Sequence, residues 1–222
     1  METTMTRRGK ISPHAKDIAR NLFEIGAVKL NASHPFTWAS GIKSPIYCDN
    51  RKINSFVSVR RKVAEAFLEL IRSEFPEVEM IAGVATGGIP MGVMVADQMD
   101  LPFIYVRQNP KEHGLMRQVE GHFEKGSKVV LIEDLVSTGG SSIKAAKGLR
   151  EEGLELLGLI SIMTYSFNRA SELFDAEGVN DFSICDLDAI VEVASTEGKI
   201  SLAEKEMILG FRENPQGWGK NI

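Results

Sequence analysis

Between Val129 and Ser141 the chain reads VVLIEDLVSTGGS, an apolar run followed by paired acids, an apolar pair and a turn of hydroxyls and glycines. Val129, Val130, Leu131 and Ile132 have the unbroken apolar character of a strand covered on both faces. Glu133 and Asp134 are then expected at its carboxyl end, the edge of an open α/β sheet where ligands bind. Ser137, Thr138, Gly139, Gly140, Ser141 and Ser142 lead into residues 143–150, where Ala145, Ala146 and Leu149 suggest a helix starting near Gly140. A helix start exposes unpaired N–H groups, glycines let a phosphate approach them, and the hydroxyls add donors. Carboxylates accept hydrogen bonds and repel a second phosphate, so beside such a cradle they match a vicinal diol. The chemistry indicated is a ribose carrying a 5′-phosphate. A Walker B strand also ends in acids, but no G-x-x-x-x-G-K-[ST] occurs. A Ser/Thr/Gly cluster alone reads more often as a plain N-cap than as a ligand site, and only the whole block reverses that balance.

Such a block needs a sheet to hold it. Ala15, Ile18, Leu22 and Ile25 predict an amphipathic helix from about His14 to Ile25, ended by Gly26. From Val28 to Tyr47, Pro35, Gly41 and Pro45 alternate with Phe36, Trp38 and Tyr47, predicting short strands and turns in a small hood. Its aromatic residues suit either stacking on a planar base or ordinary packing. Val63, Ala66, Phe67, Leu70 and Ile71 mark a helix from about Ser55 to Glu74, before Pro76. Strands are then expected at Met80–Val84, Phe103–Val106, Lys128–Ile132 and Leu156–Thr164, with helices at Ile89–Met99 and Ile143–Glu152. That alternation predicts an α/β fold: a mostly parallel sheet flanked by helices on both faces. Leu187 to Phe211 reads as mainly helical, and Met1 to Pro13 as a frayed tail without a secretory h-region.

The 222 residues suit a single domain, and 26 basic against 30 acidic residues give a net charge of −4. That balance provides no broad footprint for nucleic acid or an anionic membrane, so any anion site must be local. Cys48 and Cys185, far apart and without a C-x-x-C, are expected to be free structural thiols in a reducing compartment. No apolar stretch approaches the roughly 18 residues of a membrane span, and a cytoplasmic protein is expected.

VVLIEDLVSTGGS resembles the phosphoribosyl-pyrophosphate (PRPP) motif of type I phosphoribosyltransferases. FTWASGIKSPIYCDNR at 36–51, IAGVATGGIPMG at 81–92 and YVRQNPKEHG at 105–114 resemble the orotate phosphoribosyltransferases in particular. The resemblance implies the type I fold over 1–222, a hood built largely from about 14–54, and a mobile catalytic loop at about 107–123. It implies transfer of ribose 5-phosphate from PRPP to orotate, giving orotidine 5′-phosphate and pyrophosphate in de novo pyrimidine (UMP) biosynthesis. Phosphoribosylation of another base, or a PRPP-sensing regulator, stands as the alternative.

The same resemblance assigns roles. Glu133, Asp134, Leu135, Val136, Ser137, Thr138, Gly139, Gly140 and Ser141 would hold the sugar phosphate, and Thr86 and Gly87 the pyrophosphate. A helix end contributes only about 0.3–1 kcal/mol to an exposed anion, too little for a polyanion, so cations are required. Arg107, Lys111 and His113 match the basic loop residues that close over pyrophosphate in a neighbouring subunit, and Gly114 and Gly121 offer hinges. With Asp134 they form the expected catalytic group. Ser137, Lys43 and Ser44 are the expected orotate contacts. Mg²⁺ is the implied cofactor, held by PRPP and water with no protein ligand set, and the implied assembly is a homodimer. Some relatives carry a basic residue where this chain has Ala39, Gly87, Gln108 or Tyr165. Either Arg107, Lys111 and Mg²⁺ carry more of the charge here, or Arg51, Lys52 or Arg169 compensates.

Overall fold

The computed structural model describes residues 10–38, 40–109 and 118–219. The chain opens with strand β1 (Lys10–Ile11) and helix α1 (Ala15–Glu24). Four short strands follow: β2 (Val28–Leu30), β3 (Phe36–Thr37), β4 (Lys43–Ser44) and β5 (Ile46–Cys48). A 3-10 helix (Asn50–Ser55) then precedes α2 (Val57–Glu74). The alternating part comprises β6 (Met80–Val84), α3 (Gly88–Met99), β7 (Phe103–Val106), β8 (Val119–Glu120), β9 (Lys128–Val136), α4 (Gly140–Glu151) and β10 (Glu155–Thr164). It closes with α5 (Asn168–Ala176), β11 (Asp181–Asp186), α6 (Leu187–Thr196) and α7 (Leu202–Glu213).

Among the described residues, seven strands form one sheet in the order β1-β11-β10-β9-β6-β7-β8, parallel throughout except for β8 against β7. Alternate strand residues face opposite sides. Ile81, Val130, Ile132, Ile160, Ile162 and Ile184 join the core containing α1, α2, α3, α6 and α7. Ala82, Val84, Val129, Leu131 and Leu159 join a second core with Ala145, Ala146 and Leu149 of α4 and Ala170 and Phe174 of α5. Both faces are therefore dry, which is why β6 and the Val129–Ile132 part of β9 read as unbroken apolar runs.

Most expected elements are present, and the departures have physical causes. Lys10–Ile11 pairs with Phe182–Ser183 of β11, so this part of the expected frayed tail is an edge strand. Val119–Glu120 pairs with Val106–Tyr105, so the far end of the expected loop is fixed to the sheet. Helix α5 and strand β11 had no sequence expectation. Strand β9 runs four residues past Ile132, because β10 stays beside it as far as Val136 and Thr164. Glu133 and Asp134 consequently lie within a strand rather than at its end.

The hood consists of two antiparallel pairs, β2 with β5 and β3 with β4. Trp38 anchors it, donating its indole N–H to the Ile46 carbonyl at 3.2 Å. Its ring stacks on Tyr165 at 5.0 Å and meets Phe211 of α7 edge-on at 5.6 Å. Such pairs contribute about 0.5–1.5 kcal/mol each beyond burial. Trp38 is therefore used in packing the hood onto the sheet, whereas Tyr47 stays 40% exposed.

Candidate active site

Beside β9 the sheet opens. Pairing of β6 with β9 ends at Gly83 opposite Ile132, whereas β10 continues along the other side of β9. The chain leaves β6 through Ala85 and Thr86, joined by a cis peptide, and re-enters a helix at Gly88. This turn and the one from Val136 to Gly140 flank the last residues of β9.

The two acids differ in setting. Glu133 is buried at 4% exposure, accepting from the Asp134 backbone N–H at 3.0 Å and from the Ser142 hydroxyl at 3.3 Å. Burial, then the neighbouring Asp134 carboxyl, pushes the Glu133 carboxyl well above the ordinary carboxylate range. Asp134 is half-buried, and its carboxylate lies against Gly87, where any Cβ would overlap it. A lysine at position 87 would thus require a different Asp134 rotamer. The two acids named together in the motif are therefore set apart: Asp134 is the accessible one, and Glu133 is buried and bonded to the Asp134 backbone N–H.

The rest of the motif divides similarly. Leu135 packs against one core and Val136 lies in the other, with the Val136 carbonyl taken by the Tyr165 N–H at 3.0 Å. They hold the strand in place through packing on the two cores. Ser137 and Thr138 are half-buried, Gly140 and Ser141 exposed, and these three hydroxyls bond to no other described residue. Gly139 has a left-handed φ of 78°, and nothing lies within 4 Å of where a Gly140 side chain would start. The start of α4 is an open cradle of N–H and O–H donors.

Arg107 leaves β7 with its backbone pinned. Its N–H donates to the Gln118 carbonyl at 2.9 Å, and its own carbonyl accepts from the Gln118 amide at 2.7 Å. Its guanidinium pairs with Glu120 at 3.4 Å. Gly121 is no free hinge, since Ile104 fills the space where its Cβ would stand, 2.8 Å away. Lys111, His113 and Gly114, like Ala39, lie outside the described residues.

In the hood, exposed Lys43 donates to Thr37 at 2.9 Å. Ser44 corrects an expectation: it is fully buried, donating to the Ile46 carbonyl at 2.8 Å and accepting from the Ile46 N–H at 3.2 Å. Its hydroxyl is committed to the bend between β4 and β5 and cannot reach a base. Among the possible compensating cations, Lys52 is turned to the Gly26 carbonyl at 3.0 Å. Arg51 is held by Asp49 at 2.6 Å with its side chain 67% exposed, and the Asp134 charge acts on it.

Sequence reasoning missed Asn50. Buried at 4% exposure, it donates its amide N–H to the Asp134 carbonyl at 2.7 Å and accepts from the Cys48 thiol at 3.2 Å. An asparagine in a turn sequence carries no sign of such a long-range bond. Among the described residues no group of three or more His, Cys, Asp or Glu is arranged to hold a metal, and no helix is long and apolar enough to cross a membrane.

A family model described as phosphoribosyl transferase domain matches residues 53–198, which hold every strand of the sheet except β1 and none of the hood strands. The orotate phosphoribosyltransferase of Lactococcus lactis subsp. cremoris is 47% identical over 204 residues, covering 92% of this chain and 98% of that one. The crystal structure of orotate phosphoribosyltransferase from Aeropyrum pernix superposes with a TM-score of 0.72 at 30% identity, covering 83% of this chain and 99% of that one. Leishmania donovani UMP synthase matches with a TM-score of 0.74 at 26% identity, 88% of this chain spanning 42% of that longer protein.

Proposed function

From the premise that this chain belongs to the phosphoribosyl transferase family, we propose that it transfers ribose 5-phosphate from PRPP to orotate, yielding orotidine 5′-phosphate and pyrophosphate. The observation that carries the proposal is the end of β9, where an accessible carboxylate stands between two glycine turns, one opening into a bare cradle of donors. The nearly full-length likeness to named orotate phosphoribosyltransferases supports the choice of base.

In this reading the N–H groups and hydroxyls from Ser137 to Ser141 take the 5′-phosphate, and Asp134 accepts from the ribose hydroxyls. Glu133, bonded to the Asp134 N–H and to Ser142, keeps that carboxylate in place. Thr86 and Gly87 border the pyrophosphate. Ser137 and Lys43 serve orotate, Lys43 by exchanging its bond to Thr37 for one to the base. As the bond from C1 to pyrophosphate breaks, positive charge grows on the sugar and negative charge on the departing group. Arg107, Lys111 and His113 stabilise that leaving group and exclude water. A hard-oxygen donor at Asp134 beside the Gly87 turn fits Mg²⁺ carried mainly by substrate and water; when bound, it neutralises pyrophosphate charge.

The partner is a second copy of the chain, and Lys111 and His113 are lent to its site from a loop whose far end is anchored at β8. Half-exposed Phe56, just before α2, Val57 at its start and Val93 on the adjacent α3 provide apolar surface that pairing would cover. The setting is the cytoplasm.

With orotate, PRPP and Mg²⁺ the protein should consume the ultraviolet absorbance of orotate. No loss, with adenine, hypoxanthine or uracil reacting instead, overturns the choice of base. Lys111→Ala and Asp134→Asn should each lose most turnover, about 10²-fold or more. Mixing the two should restore part of it, because one hybrid site is intact; no recovery despite subunit exchange would refute the shared loop.

A further inference from the structure

Asp134 is gripped from two sides, and one grip belongs to the hood. Strand β6 stops pairing at Ile132 while β9 runs on to Val136, so the final residues of β9 have no strand along that edge. A buried carbonyl left there without a donor costs about 1–3 kcal/mol. For Asp134 the donor comes from a residue 84 positions earlier, the amide of Asn50 at 2.7 Å. Asn50 begins the 3-10 helix directly after β5, so the bond ties the end of the hood to the backbone of the accessible acid.

The amide is held in one sense. Its oxygen accepts a hydrogen bond from the Cys48 thiol, sulfur to oxygen 3.2 Å, which leaves its N–H₂ for the Asp134 carbonyl. That thiol keeps its proton because burial, then the charges of Asp134 and Asp49, disfavour the thiolate. Opposite, the Asp134 carboxylate rests on Gly87. The acid is thus fixed through its backbone by the hood, while its side chain lies against the turn before α3.

We propose that Asn50 is a positioning residue for phosphoribosyl transfer, setting Asp134 and linking the base-binding hood to the sugar-binding strand. It touches no substrate. Its role is to make the placement of Asp134 depend on the placement of β5, so that the two substrates are read by one connected frame. This rests on the reading of Asp134 as the ribose-binding acid.

The test is a double-mutant cycle on steady-state turnover. Asn50→Ala should lower kcat about 10- to 100-fold, the loss expected when a reacting group is misplaced by about 1 Å. Asn50→Asp, which keeps the shape but sets an acceptor against the carbonyl, should do the same. In an Asp134→Asn background neither change should lower kcat further, because both act through the same carboxylate. Losses that multiply would make Asn50 a general scaffold residue and overturn the proposal, as would full turnover in Asn50→Ala. If Asn50→Ala does not fold, the isosteric Asn50→Asp decides. Should Asp134→Asn alone retain full turnover, the reading of Asp134 fails, a result separate from either outcome at Asn50.

Discussion

The two glycine turns beside β9 look alike in sequence, ATGG and STGG, yet the structure uses them oppositely. In the first, the glycines make room for protein. A Cβ on Gly88 would overlap the Ile132 carbonyl, one on Gly87 the Asp134 carboxylate, and one on Gly83 would come within 2.9 Å of the Gly88 carbonyl. In the second, Gly139 supplies a left-handed φ, and the space beside Gly140 is open. One turn is filled by its own chain and the other is left bare, which is the physical difference between a glycine that lets the chain pack closely and one that leaves space beside it.

Substitutions separate the two. Gly88→Ala should be the most damaging, because the obstacle is backbone: we expect a loss of about 1–3 kcal/mol or more. That lowers the melting temperature by roughly 2–4 °C per kcal/mol, measurable by calorimetry. Gly87→Ala meets only a movable carboxylate, so melting should change little while turnover falls about 10²-fold as Asp134 is displaced. Equal melting for the two variants would erase the distinction drawn within this turn. Gly140→Ala should leave melting nearly unchanged yet raise the KM for PRPP about tenfold by crowding phosphate; an unchanged KM would show the bare cradle to be unused.

The smallest effect concerns Glu133, which connects the sides through Asp134 and Ser142. Its folded-state carboxyl holds its proton more tightly than the unfolded one, near 4.5. Stability should therefore fall as pH rises from about that value through the raised one, since the folded state binds more protons over this window. Glu133→Gln should flatten that slope and raise the melting temperature at neutral pH by a few degrees. A slope identical to that of the parent protein would place the titration elsewhere.

Much of this could be anticipated from the residues. Strands β6 and β7 have the expected limits, because a run covered on both faces advertises itself by composition. The helix start near Gly140 was legible because small hydroxyl and glycine residues mark such a start, whether they cap it or cradle a ligand. What lay hidden depends on neighbours distant in the chain. Glu133 and Asp134 are interchangeable in print, and only the Ser142 contact and the Gly87 wall distinguish them. Residues 10–11 and 119–120 are too short to show a period and become strands only because β11 and β7 offer an edge. Ser44 and Lys43 both read as polar hood residues, but a bend needing an internal hydroxyl consumed the first. Asn50 acquires its role from the length of a strand it does not belong to.

The aromatic anchor of the hood has an optical consequence. The protein has two tryptophans. Trp38 touches Phe211 from the hood, and Trp218 meets the same ring at 5.6 Å from the far end of the chain. Gly219, next to Trp218, approaches Lys43 closely enough that a Cβ would lie 3.1 Å from it. Both fluorophores therefore sit where the hood meets α7 and neither on the start of α4, so intrinsic emission is a built-in gauge of the hood.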